Sequence, residues 1–221
     1  TRQAVIKMFE MGCHLVILGC NTASAKALRS IQTRDLPELD PSRRVLGVIR
    51  PTAEIIGTLT KNNHVGLLAT EGTVISHSYD LEIKKFWPDI KVSGVACPFW
   101  VPLVEYNEAD SPGADYFVKK RIDELMRKDD DIDAIILGCT HYPILMPKII
   151  KYVKPGVRII PQGEFVADSL RSYLDRHDDI KKQITHNGSC KYYTTENPDK
   201  FKESAQIFLH EKVTVNHVDL E

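Results

Sequence analysis

Residues 14–28, HLVILGCNTASAKAL, decide how the chain is read. Leu15, Val16, Ile17 and Leu18 form an apolar run without alternation, the pattern of a short strand buried on both faces. Gly19 and Cys20 follow, then small polar residues, then helical spacing, which marks a helix start directly after the strand. Residues 133–145, DAIILGCTHYPIL, repeat the device. VILGCNT at 16–22 and IILGCTH at 135–141 are the one internal repeat, and they predict two half-sized α/β domains with a Cys in the same frame in each.

The rest of the chain extends this pattern. Spacing predicts strands over 14–18, 45–49, 64–68, 91–95, 133–137, 157–160, 189–194 and 213–218. Helical spacing occupies 22–32, 53–59, 74–86, 114–128, 143–152, 164–174 and 198–210. The last helix has Asn197 as its cap and Pro198 at its first position. Strand–helix alternation with non-alternating strands predicts an α/β fold with mainly parallel sheets, covered on both faces and joined by right-handed crossovers. The charged stretches 107–115 and 176–183 are expected to be solvated loops or helix ends. The stretch TRQAVIKMFEMG has an apolar stripe at Ala4, Val5, Met8 and Phe9 that stops at Gly12. This helix-first, Met-less start suggests a fragment.

Of the 221 residues, 43% are hydrophobic and 27% charged, with a net charge of −1. Such values are ordinary for a globular protein, and no basic block points to nucleic acid or a membrane surface. No apolar run reaches the ~20 residues a membrane helix needs, and no signal peptide is recognisable. The five cysteines, Cys13, Cys20, Cys97, Cys139 and Cys190, are odd in number and lack CxxC spacing. That argues against a disulfide framework or a zinc site and for a reducing, cytoplasmic setting.

Ligands of open α/β sheets bind outside the carboxyl ends of the strands, where Cys20 and Cys139 both fall. A helix N-terminus there offers free N–H groups and partial positive charge, so both thiols are expected to have lowered pKa values. The same N–H groups, with the hydroxyls of Thr22, Ser24 and Thr140, suit a substrate carboxylate. Cys13, Cys97 and Cys190 lack the motif and read as ordinary small side chains. A thiol hydrolase would use Cys139 with His141 and leave Cys20 idle. Racemisation uses both: one group removes a proton from one face of a carbon while the other returns a proton to the opposite face.

At this point the chain resembles the cofactor-independent glutamate racemases. CNTAS at 20–24 and LGCTHYPIL at 137–145 are similar to that family's two cysteine motifs. GLLATEGTVISHSY at 66–79 resembles its Gly-Thr-rich substrate loop, and ACPFWVPLVE at 96–105 the segment ending in its glutamate. The resemblance implies two pseudo-symmetric doubly wound domains with the site in the cleft between them. Residues 1–51 plus 161–221 would form the first and 52–160 the second. It implies that Cys20 deprotonates the D-isomer and Cys139 the L-isomer. Asn21, Thr22 and Thr140 would bind the substrate's carboxylate and amino groups, and Thr70 and Thr73 would bind it from the other domain. Glu105 and His141 would tune the second thiol. His141 is also supported by its position two residues from Cys139, whereas Glu105 rests on the resemblance. The implied enzyme uses neither pyridoxal phosphate nor a metal, takes a small-molecule substrate, supplies D-glutamate for bacterial peptidoglycan, and is compatible with a homodimer.

Two features of the family pattern have no counterpart here: an initial strand with Asp-Ser-Gly, and a Pro-Tyr-Gly segment ahead of the first cysteine. On that ground the chain alone is expected to be inactive. Arg50, in GVIRPT, stands where the family has an acidic or neutral residue, and nothing explains it. The alternatives are a racemase for aspartate or another amino acid, a binding protein that kept the fold without the chemistry, and a thiol-redox protein.

Overall fold

The computed structural model describes residues 1–185 and 187–220. His186 and Glu221, which the sequence-based division includes in the first domain, lie outside the described residues. In chain order the elements are α1 (Arg2–Glu10), β1 (Leu15–Leu18), α2 (Asn21–Ser30), a π-helical turn (Ile31–Asp35), α3 (Leu36–Leu39), β2 (Arg44–Gly47) and α4 (Ile49–Ile55). Then come a 3-10 turn (Ile56–Thr58), β3 (His64–Ala69), α5 (Glu71–Ile75), α6 (Ser78–Phe86), β4 (Lys91–Ala96), α7 (Trp100–Glu105), α8 (Pro112–Lys128) and β5 (Ala134–Gly138). A 3-10 turn (Tyr142–Leu145), α9 (Met146–Tyr152), β6 (Arg158–Ile160), α10 (Gly163–Arg176), α11 (Asp178–Lys181), β7 (Tyr192–Thr194), α12 (Pro198–Leu209) and β8 (Val215–His217) complete them.

Among the described residues every strand pair is parallel, in three sheets: β1–β2, β4–β3–β5–β6 and β7–β8. The four-stranded sheet shows why its strands read as unbroken apolar runs. Ile135 and Leu137 face a cluster with Trp100, Val104, Val118, Ile122, Leu125 and Ile149, supplied by α7, α8 and α9. Ala134 and Ile136 face the other way, toward Ala53, Ile56, Tyr79 and Ile83. Both faces being apolar, alternation disappears from the sequence. The β1–β2 pair packs Val16, Leu18 and Val45 against Val5 and Phe9 of α1 and Ile31.

The helices start where local chemistry predicts. Ser111 accepts a hydrogen bond from the Ala114 N–H and precedes Pro112, capping α8. Asn197 caps α12 through the Asp199 N–H. Three boundaries differ from the spacing. Ile49 is the first residue of α4 rather than the end of a strand, because its side chain joins the core beneath β3. The stretch 71–86 is two helices, broken at His77, whose φ is +52°. Helix α7 was not predicted: six residues with a proline at their centre carry too little periodicity, yet Trp100 and Val104 are wholly buried.

Candidate active site

Cys20 ends the β1 segment as the N-cap of α2, in extended backbone, with its carbonyl accepting from the Ser24 N–H at 2.9 Å. The residue is exposed. Its counterpart Cys139, one residue beyond β5, is only 8% exposed. The repeat in sequence therefore serves two different environments. Gly138 is packed so tightly that a Cβ would lie 2.9 Å from Leu67 Cδ1 and 3.0 Å from Ala69 Cβ, whereas a Cβ on Gly19 would meet nothing.

Around Cys139 the structure lines up a relay. The sulfur is 3.7 Å from Nδ1 of His141, and Nε2 of the same ring is 2.5 Å from Oε1 of Glu105, the last residue of α7. A carboxylate can only accept, so Nε2 carries a proton and, in the neutral ring, Nδ1 is the acceptor that faces the thiol. The imidazole is thus oriented to take the Cys139 proton. Tyr142, wholly buried, fixes the turn behind it: its hydroxyl donates to the Cys97 carbonyl at 3.2 Å and its ring meets Trp100 edge-on at 4.8 Å.

The expected drop in thiol pKa is not what Cys139 shows. Burial pushes it up; the backbone N–H of His141 pulls it down, the Cys20 thiolate raises it, and the N–H groups of Tyr142 and Thr140 lower it again, with burial winning. The turn that follows is a short 3-10 segment, and its few N–H groups do not offset desolvation of the sulfur.

Three hydroxyls converge beside Cys20. Thr22 Oγ1 lies 2.8 Å from Thr70 Oγ1 and 3.3 Å from Thr73 Oγ1, and Thr70 and Thr73 are 3.0 Å apart. Thr22 belongs to α2 and the other two to the turn after β3, where Thr70 caps α5. The approach is close: a Cβ on Gly72 would sit 3.1 Å from Thr22 Cγ2. The triangle brings Thr22, Thr70 and Thr73 together, as the sequence reading requires of substrate contacts. Thr140 is exposed and adjoins Cys139.

Two other positions depart from expectation. Asn21 is buried, and both ends of its amide are engaged: Oδ1 accepts from the Tyr79 hydroxyl at 2.7 Å, and Nδ2 donates to Gln162 Oε1 at 2.7 Å. Ser24 is also buried, donating to the Leu18 carbonyl at 2.9 Å and accepting from the Val48 N–H at 3.4 Å. Both are turned into the protein, as is Thr73 at 1% exposed, which leaves Thr22, Thr70 and Thr140 open to a substrate carboxylate. Tyr79, Gln162 and Thr52 were missed. Gln162, alone between Pro161 and Gly163 after an apolar strand, is the only signal the sequence carried. At the opposite, amino ends of the strands, His64, Asp129 and Asp131 offer three ligand atoms within 4.8 Å. Asp129 is already paired there by His64 Nδ1 and Lys91 Nζ, each at 2.9 Å.

The Asp/Glu/Hydantoin racemase signature matches residues 1–169. The chain belongs to that family. It is 37% identical to the glutamate racemase of Ruegeria sp. (strain TM1040) over 97% of this chain and 80% of that protein. Among solved structures it is similar to a glutamate racemase isoform of Bacillus anthracis, with a TM-score of 0.85 and 31% identity, covering 99% of this chain and 80% of that one. It is likewise similar to the Francisella tularensis glutamate racemase in complex with D-glutamate, with a TM-score of 0.84 and 28% identity over 100% and 79% of the two chains. All three of these similar proteins are glutamate racemases. No described helix is long and apolar enough to cross a membrane.

Proposed function

We infer that this chain is a glutamate racemase that interconverts L- and D-glutamate, an isomerase supplying D-glutamate for peptidoglycan. The observation that carries the reading is the matched placement of Cys20 and Cys139, each at the carboxyl end of a parallel strand and just ahead of a helical turn.

The mechanism we propose uses both sulfurs. In the L-to-D direction, His141 takes the Cys139 proton, the Cys139 thiolate removes the α-proton, and the C–H electrons stay on carbon as a carbanion next to the carboxylate. Cys20, as a thiol, gives its proton to the opposite face. In the reverse direction the roles exchange. The hydroxyls of Thr22 and Thr70, backed by that of Thr73, with the Thr140 side chain and the free N–H groups of the first turn of α2, hold the substrate's carboxylates. We assign Cys20 to a first domain of residues 1–51 plus 161–221 and Cys139 to a second of 52–160, so that a substrate in the cleft meets one thiol from each. The buried rise in the Cys139 pKa favours a neutral resting thiol, which is why an imidazole held by Glu105 belongs beside it. A homodimer and a cytoplasmic location complete the reading; the reducing cytoplasm suits five free cysteines.

Loss of optical rotation from L-glutamate, measured by circular dichroism beside L-aspartate on this chain preceded by the Asp-Ser-Gly and Pro-Tyr-Gly segments of the family pattern, tests the substrate. Turnover of glutamate in excess of aspartate is expected. Turnover of aspartate alone would reassign the substrate, and turnover of neither would leave the binding-protein alternative standing.

A further inference from the structure

Asn21, the neighbour of Cys20, enters a buried polar network that the proposed chemistry does not use. The Tyr79 hydroxyl donates to Asn21 Oδ1 at 2.7 Å and accepts from Gln162 Nε2 at 2.6 Å, while Asn21 Nδ2 returns to Gln162 Oε1 at 2.7 Å. The three side chains close a ring of hydrogen bonds. Gln162 Nε2 also lies 3.1 Å from the Val48 carbonyl and 3.0 Å from Thr52 Oγ1. Tyr79 and Thr52 are wholly buried, Asn21 is 2% exposed and Gln162 8%.

The location is specific. Val48 and Thr52 lie where the chain passes from β2 into α4 on its way to the four-stranded sheet, and Gln162 where it leaves that sheet after β6. Tyr79 is on α6, packed under β3 and β5. Asn21 is the point at which the ring grips α2, one peptide from Cys20. Successive Cα atoms are fixed at about 3.8 Å, so holding the Asn21 backbone holds that of Cys20. Burial raises the phenol pKa of Tyr79, so its hydroxyl remains a donor throughout the working pH range. Apolar side chains would fill this volume without any need for partners. A satisfied polar ring adds a fixed orientation.

We propose that Tyr79 and Gln162 are positioning residues: through Asn21 they hold the first turn of α2, and with it the Cys20 thiol, in register with the sheet that carries Cys139. This rests on the reading of Cys20 as one of the two acid–base groups, and its test includes a readout that needs no turnover.

Tyr79→Phe keeps the ring in the core but leaves Asn21 Oδ1 without its donor and opens the ring of hydrogen bonds, with Val48 and Thr52 remaining as acceptors for Gln162. Thr52→Val is the control. It also removes a buried hydrogen bond from Gln162, yet leaves Val48 and Tyr79 as acceptors for its two N–H groups, so the ring stays closed. Alkylation by iodoacetamide is followed by mass spectrometry as a function of pH at Cys20, with exposed Cys190 as the internal reference. Tyr79→Phe should change the Cys20-to-Cys190 rate ratio at least about threefold and lower kcat about tenfold, with KM within about twofold. Thr52→Val should change neither. Asn21→Ala, which cuts the link directly, should reproduce the Cys20 change and decides the matter should Tyr79→Phe not fold. An unchanged ratio in folded Tyr79→Phe or in Asn21→Ala, or an equal change in Thr52→Val, overturns the proposal. Absence of turnover in the unsubstituted protein that carries the Asp-Ser-Gly and Pro-Tyr-Gly segments would instead count against the proposed function and leave the alkylation comparison intact.

Discussion

Glu105 Oε1 lies 2.5 Å from His141 Nε2, joining the end of α7 to the turn after β5. The contact fixes which ring nitrogen faces Cys139. Glu105→Gln keeps the shape but removes the charge that favours a proton on Nε2 and stabilises the imidazolium once His141 has taken the thiol proton. A loss of about tenfold in kcat/KM is expected, within the range a positioned acid–base group supplies. Enantiomers have equal free energies, so kcat/KM must fall by the same factor from L- and from D-glutamate. Initial rates from both directions check this.

The influence of Cys20 on Cys139 gives a second prediction. Burial and the Cys20 thiolate both raise the Cys139 pKa. Alkylation of Cys139 should therefore require a higher pH than alkylation of an unperturbed thiol. In Cys20→Ala one of the raising influences is gone, and the midpoint for Cys139 should move down. A midpoint that does not move would separate the two thiols in space.

Thr70 has two tasks. Its side chain accepts from the Thr73 N–H as the cap of α5, and its hydroxyl meets that of Thr22. Thr70→Val should cost about 1 kcal/mol of stability, as loss of a cap does. It should also raise KM for glutamate several-fold. Thr22→Val caps nothing and should raise KM with little change in melting temperature. Thermal melts beside saturation curves separate the two effects.

Acid stability depends on a residue far from the thiols. Asp129 is buried, which by itself would raise its pKa, but Lys91, His64 and the Asp131 N–H bring it down to about 2. A carboxylate lowered in the folded state contributes stability that is present above its unfolded pKa, near 3.8, and is lost as the pH falls toward 2. Asp129→Asn should lower stability at neutral pH and flatten its dependence on pH between about 4 and 2. Urea melts at a series of pH values test this.

Much of the fold was legible because the four-stranded sheet is apolar on both faces, so its strands stand out as continuous runs such as Ile135, Ile136 and Leu137. The strand–Gly–Cys repeat located both thiols, but it concealed their difference. Burial of Cys139 follows from core neighbours distant in sequence, Leu68 and Trp100 among them, and no local pattern encodes that. The pKa expectation for Cys139 failed for the same reason: a helix-start argument is local, and desolvation is not. His141 was legible from its spacing, whereas the position of Glu105 depends on α7, a helix too short to be read. Asn21 was read as facing substrate because Tyr79 and Gln162, which claim its amide, lie far along the chain.

Deuterium incorporation from heavy water into each enantiomer, followed by NMR in single-thiol variants, tests the two-thiol account most directly. Cys20→Ser keeps Cys139 and its His141 relay, so it should lose racemisation but still exchange the α-proton of L-glutamate. Cys139→Ser should lose racemisation and exchange only D-glutamate. A serine hydroxyl is too weak an acid to replace either sulfur. Replacement of Cys13, Cys97 or Cys190 by Ala should leave exchange into both enantiomers in place. Racemisation retained by either Cys20→Ser or Cys139→Ser would contradict the account.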